Sequence, residues 1–336
     1  MYAPAITVLM SAYNVEKYIR EAMDSILNQT FRDFEFIIVD DASTDGTLAI
    51  IESYKDDRIR IIKNETNIKL AASLNKGLRI TRGKYIARMD ADDISHLERF
   101  QKLYDFMERN PQIDICGTHM KLFGSEDAVW GGRSDDKEIK AGLIWGSTVE
   151  HASVLMRSET ILKNNLFYDE TFPVGQDWKY WYDAKNHANF SSLEEVLYYY
   201  RRGEQNMTVK FGHQSKDRYS HMHRLMLEDL GLSPSERELK LHQFIIGLFS
   251  ISPSPDAVKE ARAWFRKLIG RNNTVKQYDP ATFERIANEH WTRLFYLIAP
   301  FGSGTVWAYT VSSGITFTQL SYYLKYSLNK LIGRKK

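Results

Sequence analysis

Apolar residues along the first hundred positions follow two alternating rhythms. Short, nearly continuous apolar runs occupy 6–10, 34–39, 59–62 and 84–89. Between them, apolar positions recur at helical spacing. Val15, Ile19, Ala22, Met23, Ile26 and Leu27 form one face, followed by Leu48, Ile51 and Tyr54, and then by Leu70, Leu74 and Leu78. A fourth face carries Leu97, Phe100, Leu103, Tyr104 and Met107. Strand alternating with helix predicts an α/β fold, with a largely parallel sheet and helices on both sides. Ligands of such sheets bind beyond the carboxyl ends of the strands. Three polar clusters fall there: Ser11, Ala12, Tyr13 and Asn14; Asp40, Asp41, Ala42 and Ser43; and Asp90, Ala91, Asp92 and Asp93. They are expected to converge on one cleft.

The pattern is less regular from about 112 to 205. Glycines and aromatics are frequent, at Trp130, Gly131, Gly132, Trp145, Gly146 and Trp178 to Tyr182. This reads as loops and short strands built over a cleft. Helical periodicity returns after about 210, with an apolar stretch at 242–249 and an amphipathic one at 258–269. The chain thus divides at about 110 and 210. No charged residue occurs between 294 and 324, and Lys325, Lys330, Arg334, Lys335 and Lys336 follow. That span is long enough to cross a bilayer, but Gly302, Ser303, Gly304, Ser312, Ser313 and Gly314 dilute its hydrophobicity. A buried or interfacial helical segment is expected instead of a transmembrane helix. Two outcomes remain open, a plain helical hairpin with a solvated basic tail and peripheral membrane contact.

Composition narrows the function classes. The chain has 336 residues, and 45 basic against 43 acidic side chains leave a formal charge of +2. No strong field is available to hold nucleic acid, which is not an expected partner. The single cysteine, Cys116, excludes a disulfide framework and a cysteine-rich zinc site. No secretory signal is expected from the first residues, and a reducing, cytoplasmic location fits.

The acidic clusters carry the chemistry. Asp90, Asp92 and Asp93 crowd like charges together, which costs free energy unless a cation offsets them. Oxygen ligands suit hard ions such as Mg2+ or Mn2+, which keep open positions for water and substrate phosphates. The competing reading is a helix N-terminus, with Asp92, Asp93 or Ser95 capping the helix that contains Leu97 and Phe100. Asp40 and Asp41 likewise could accept hydrogen bonds from a base or ribose, while Ser43, Thr44 and Asp45 could cap the helix that follows.

The order of several motifs points to a family. Thr7 to Asn14, then Gln29, Thr30 and Phe31, then Val39 to Thr47, follow in series. Asn67 comes next, then Leu74, Asn75, Lys76 and Gly77, then Gly83 to Ile86, and Met89 to Asp93 closes the series. Together they resemble the inverting family-2 glycosyltransferases, which have a GT-A fold. The match is close from 5 to about 110 and looser to about 205. The resemblance implies a nucleotide-sugar-binding half over 1–110, an acceptor-binding and catalytic half over 111–209, and a helical C-terminal region over 210–336.

Roles follow from the resemblance position by position. Ser11, Ala12 and Tyr13 would line the nucleotide pocket, Asp41 would bind uracil or another base, and Asn75 would lie in the donor-side helix. Asp92 would be the main ligand of Mn2+ or Mg2+, supported by Asp90. Many members carry glycine where Lys69 stands, so that loop is expected to differ. Gln176 and Asp177 resemble the family's catalytic motif, which makes Asp177 the base that deprotonates the acceptor hydroxyl. Its competing role is a helix N-cap. His151 and Trp178 would border the acceptor, although a structural histidine and a core tryptophan, with Trp181 on the same face, are equally compatible. Arg201 would pair with phosphate, although relatives often carry histidine where Gly203 stands.

The expected activity is metal-dependent inverting transfer of one sugar from a nucleotide-sugar, commonly a UDP-sugar, to a hydroxyl of a glycan or lipid-linked acceptor. No Gln-x-x-Arg-Trp motif is present, which disfavours processive polymer synthesis. A nucleotidyltransferase or a Rossmann dehydrogenase would need a glycine-rich loop where Ser11 to Asn14 stand. A non-catalytic nucleotide-sugar-binding scaffold is the alternative of a different class.

Overall fold

The computed structural model describes residues 3–172, 175–203 and 215–331. These residues divide into two compact units, 1–219 and 220–336.

The first unit begins with β1 (Ile6–Ala12), α1 (Ile19–Leu27), β2 (Phe34–Asp40), α2 (Thr47–Ser53), β3 (Ile59–Lys63), α3 (Lys69–Leu78) and β4 (Tyr85–Asp90). β1 lies between β2 and β4 and runs parallel to both, and β3 is parallel to β2. β1 and β2 are buried on both faces, so they read as continuous apolar runs instead of alternating ones. The register aligns the strand ends. Ala12 lies opposite Asp40, and Ser11 lies opposite both Val39 and Asp90. All three polar clusters therefore emerge at one edge of the sheet. Gly83 follows from close packing: a Cβ there would sit 2.4 Å from the Thr7 backbone nitrogen.

The unit continues with β5 (Ile94–Ser95), α4 (Arg99–Arg109), β6 (Ile115–Gly124), β7 (Ala128–Trp130), α5 (Asp136–Gly142) and a 3-10 turn at His151–Ser153. Then come β8 (Leu155–Arg157), α6 (Ser158–Lys163), α7 (Gln176–Ala184) and β9 (Phe190–Arg202). The sheet order is β3-β2-β1-β4-β8-β6-β9-β5, with β7 paired to β6. β8 is antiparallel to both neighbours, whereas β6 and β9 are parallel.

The second half of this sheet corrects the sequence reading of loops and short strands. β6 has ten residues and β9 thirteen. The register between them shifts at Thr118, His119 and Met120: Thr118 opposes Leu193, but His119 already opposes Val196. Glu194 and Glu195 occupy that irregularity and interrupt the two-residue period by which a strand is recognised. Cys116 lies buried in this half of the core, and burial pushes its thiol up to about 12.

Gln29, part of the motif series, is a scaffold residue. It is fully buried, and its amide donates to the Ser25 and His96 carbonyls at 2.9 and 2.7 Å and to Ser95 Oγ at 3.1 Å. Its Oε1 accepts the Phe100 N–H at 3.1 Å, which satisfies one of the free amides in the first turn of α4.

The helices that follow are α8 (Ser215–Asp229), which crosses the boundary between the units, α9 (Glu236–Ile245), α10 (Pro255–Val275), α11 (Pro280–Ile298), α12 (Ser303–Ser313) and α13 (Phe317–Leu331). Their starts are written into the sequence: a Ser235–Glu238 capping box opens α9, and Ser254 and Asp279 cap the Pro-initiated α10 and α11. The core of the second unit stacks Trp291 on Tyr309 at 5.3 Å and packs Phe265 beside Trp291 at 5.3 Å. The uncharged stretch is broken into the end of α11, α12 and the start of α13. No helix among the described residues is long and apolar enough to cross a membrane.

Candidate functional site

The loops after β1 and β2 are stitched together by hydrogen bonds. Asn14, at φ +51°, donates its backbone N–H to Ser43 Oγ at 3.2 Å, and its Oδ1 accepts the Thr44 N–H at 2.8 Å. The Val15 N–H reaches Thr47 Oγ1 at 2.8 Å, and Asp45 Oδ1 accepts the Thr47 N–H at 2.9 Å at the start of α2. Tyr13 is exposed beside this seam and Ser11 half-buried. The Ala12 side chain is buried, and its carbonyl accepts the Asp41 N–H at 2.8 Å.

Asp41 is buried and heavily hydrogen-bonded. Oδ1 accepts from Asn64 Nδ2 and from the Ile68 N–H, both at 2.8 Å, and Oδ2 accepts the Lys69 N–H at 2.9 Å. The carboxylate therefore caps the entry to α3 from another element. The expected loop difference at Lys69 corrects itself here. Lys69 has φ +74°, the region glycine favours, so the backbone takes the path a glycine would take, with lysine on it.

Across the cleft, β4 delivers Arg88 and Asp90. Arg88 is buried, and its guanidinium forms an ion pair with the Asp90 carboxylate. Burial opposes its charge, and Asp90, together with Tyr168 and Tyr198, outweighs that cost. Asp93 is also buried. It accepts from Tyr198 Oη at 2.8 Å and from the Arg201 N–H at 2.7 Å. The capping alternative for this acidic turn is excluded. Residues 94–95 pair with β9 as a strand, and the N-cap of α4 is Glu98, whose side chain makes no capping bond. Asp93 instead ties the turn to β9.

Asp92 is left as the carboxylate without such support. Among the described residues, no other residue donates a hydrogen bond to its carboxyl group. Burial first, and then the charge of Asp90, push it up to about 6. No three acidic, histidine or cysteine side chains converge into a cage among the described residues. Any cation here would take few protein oxygens, from Asp92 and Asp90, with its other positions left to water and substrate phosphate.

Asp177 enters from the far side, in the first turn of α7 after Gly175 at φ +76°. Burial raises its carboxyl above the ordinary 3.8; Arg88 counteracts the shift and Asp90 adds to it. Glu150 lies in the same field, and burial followed by the charge of Asp177 pushes it up to about 7. The ends of β4 and α7 and the segment before β8 thus form one electrostatic neighbourhood. His151 Nε2 lies 2.7 Å from Tyr168 Oη, and burial and then Arg88 hold the ring well below the ordinary histidine range, hence neutral.

Two expected contacts are relocated. Trp178 is buried and donates Nε1–H to the Leu143 carbonyl at 2.9 Å, so its ring anchors α7 in the core and is not free to stack on a sugar. Trp181 is likewise buried, with Nε1–H on the Val149 carbonyl at 3.2 Å. Asn75 is buried and fully engaged with residues 168–170: its amide donates to the Tyr168 carbonyl and to Glu170 Oε1, each at 2.9 Å, and Oδ1 accepts the Tyr168 N–H at 2.8 Å. It holds Tyr168 by both of its backbone hydrogen-bonding groups. Arg201 donates Nε–H to the Asp92 carbonyl at 2.8 Å, pairs with Glu21, and lies over Tyr18 and Phe123, 4.6 and 4.5 Å from the ring centroids. Gly203 ends the described part of that segment, and 204–214 lie outside the described residues.

Sequence reasoning did not single out Arg88 or Tyr168, and it named Glu150 only as the first residue of a family-like run, 150–157, expected to border the acceptor site. Arg88 had a usable signal, a charge inside a strand buried on both faces. Glu150 adjoins His151 in sequence. Tyr168 had no local signal, because its place depends on a contact 93 residues away.

Comparison with known proteins agrees with this geometry. The model of glycosyl transferase family 2 matches residues 7–176. An uncharacterised glycosyltransferase of Haemophilus influenzae is 30% identical over 228 residues, covering 64% of this chain and 70% of that protein. Another from Methanocaldococcus jannaschii is 38% identical over 216 residues, covering 60% of this chain and 72% of its own. Among solved structures, residues 1–349 of Staphylococcus aureus TarS in complex with UDP-GlcNAc align with a TM-score of 0.60. That alignment has 19% identity and covers 85% of this chain and 91% of that one, which establishes a shared fold. The chain is a glycosyltransferase and belongs to glycosyl transferase family 2.

Proposed function

We propose that the chain catalyses metal-dependent, inverting transfer of one sugar from a nucleotide-sugar, a UDP-sugar, to a hydroxyl of a glycan or lipid-linked acceptor, as in cell-surface polysaccharide synthesis on the cytoplasmic side. One observation carries the reading: Asp177 shares an electrostatic neighbourhood with the Arg88–Asp90 pair at the end of β4. Asp177 is then assigned as the base, and the acidic turn after β4 as the cation-suited site.

Asp177 accepts the proton of the acceptor hydroxyl as that oxygen attacks the anomeric carbon. The bond from that carbon to the diphosphate oxygen breaks with its electron pair, and the configuration inverts. Asp92 and Asp90 would hold Mn2+ or Mg2+, whose charge at this place neutralises the departing diphosphate. Tyr13 and Ser11 border the nucleotide, and any contact of Asp41 with the base uses the acceptor capacity left beside its three N–H donors. Neutral His151, held by Tyr168, offers acceptor-side polarity without adding charge. A phosphate contact by Arg201 requires displacement of Glu21.

The decisive experiment compares Asp177→Asn with the parent chain. Donor binding by calorimetry should survive while turnover is lost. Because burial raises the Asp177 carboxyl, its ionised form costs stability at neutral pH, and the asparagine variant should also melt higher. An active variant would reassign the base. Donor binding by the parent chain without any transfer or hydrolysis would leave a nucleotide-sugar-binding scaffold.

A further inference from the structure

The face that α13 turns to solvent has the chemistry of a membrane-surface element. Phe317, Leu320, Leu324 and Leu328 are 86%, 41%, 59% and 56% exposed. At 3.6 residues per turn they fall within an arc of roughly 80°. The opposite side of the helix touches its unit: Gln319 is buried and donates to the Thr292 carbonyl at 3.4 Å, and Tyr322, itself 38% exposed, packs on Tyr296 of α11 at 4.9 Å. The helix meets α11 through these two residues and presents an apolar face outward. In the preceding helix α12, Trp307 and Val311, one turn apart, are 69% and 66% exposed. Soluble chains rarely leave such residues aligned without use.

Charge decides the partner. From 290 to 336 the sequence contains no aspartate or glutamate, while Arg293, Lys325, Lys330, Arg334, Lys335 and Lys336 supply six cations. Apolar residues accompanied only by cations match a surface that is apolar beneath and anionic above, which is a bilayer containing acidic phospholipid. An acidic protein groove would satisfy the cations equally but gives no reason for a phenylalanine and three leucines in one solvent-facing line. Length fixes the mode of contact: fifteen residues span about 22 Å, short of the ~30 Å hydrocarbon core. We infer that α13 lies flat in the interface of an anionic membrane, with Phe317, Leu320, Leu324 and Leu328 entering the acyl boundary and Lys325 meeting lipid phosphates.

The test is co-sedimentation of the full chain with vesicles of phosphatidylglycerol and phosphatidylcholine, against phosphatidylcholine alone. Binding is expected only with the acidic lipid, weakening as salt is raised. A triple variant, Leu320→Ser, Leu324→Ser and Leu328→Ser, should bind at least tenfold more weakly. Its circular dichroism and melting should match the parent, because these side chains leave the core intact. A charge reversal, Lys325→Glu with Lys330→Glu, should weaken binding by a similar factor and provides the answer if the triple variant fails to fold. Equal binding to both vesicle types, or binding unaffected by the variants, would overturn the inference. So would a concentration-dependent dimer that the triple variant abolishes in a chain that ignores vesicles, since the stripe would then be a self-association surface. The outcome is independent of donor identity and of the catalytic base.

Discussion

Asn75 grips Tyr168 by both of its backbone hydrogen-bonding groups. Its Oδ1 accepts the Tyr168 N–H at 2.8 Å and its Nδ2 donates to the Tyr168 carbonyl at 2.9 Å. A side-chain amide thereby imitates a strand partner, joining α3 to the residue that contacts His151. Asn75→Ala leaves two buried backbone groups unpaired, at a cost of about 2 kcal/mol in denaturant unfolding. Transfer should fall by more than stability alone explains, with the loss mainly in the acceptor KM. Asn75→Asp keeps the acceptor but sets a buried carboxylate oxygen against the Tyr168 carbonyl and Glu170, so it should be at least as damaging as alanine. An alanine variant of parent-like acceptor KM would show that Tyr168 needs no such grip.

Lys69 holds a left-handed backbone at φ +74° so that its N–H can reach Asp41. A side chain in that region costs about 1 kcal/mol relative to glycine. Lys69→Gly should therefore stabilise the chain by up to about 1 kcal/mol in urea unfolding and leave donor affinity unchanged. A destabilised variant would mean that the lysine side chain makes a compensating contact.

The alternation of apolar runs and helical faces made the first four strands legible, because strands buried on both faces and amphipathic helices leave unambiguous signatures. The acidic turn was legible as a cluster but ambiguous with a helix cap. Only the pairing of residues 94–95 with β9 removed that ambiguity, and that pairing is set by Tyr198 and Tyr199, about a hundred residues away. β9 itself was hidden by the irregularity at Glu194 and Glu195. For Asn75 and Trp178 the sequence shows which side chains are present and not which of their hydrogen bonds are already used, on Tyr168 and on the Leu143 carbonyl. The exposed stripe of α13 was unreadable for a related reason: tyrosines and leucines surround the whole helix, and packing alone determines which of them face solvent.

Asp92 is the carboxylate that a divalent cation would relieve, while Asp90 has Arg88 and Asp93 has Tyr198 and Arg201. Asp92→Ala is expected to lower transfer by on the order of a hundredfold or more, and to remove any stabilisation by Mn2+ in the presence of nucleoside diphosphate. Thorough chelation of the parent chain should have the same effect on rate, reversed by added Mn2+ or Mg2+. Undiminished transfer after chelation would reject the cation. A larger loss in Asp90→Ala than in Asp92→Ala would exchange their roles.

Glu150 and Asp177 compete for the role of base, and their protonation states separate them. Both carboxyls are raised by burial, Glu150 to about 7 with Asp177 as its second cause, and Asp177 to a position above 3.8. Because the charge of Asp177 is what raises Glu150 after burial, Glu150 still carries its proton in the range where Asp177 ionises. A base must be ionised, so kcat/KM should fall as pH drops through the Asp177 ionisation, above the ordinary aspartate range. Glu150→Gln replaces a neutral acid by a neutral amide in that window, so the acid limb should stay in place. Any change should appear instead near pH 7, where the parent would begin to place a second negative charge beside the base. If Glu150→Gln abolishes the acid limb and most of the rate while Asp177→Asn retains turnover, the proton goes to Glu150 and Asp177 serves only to tune it.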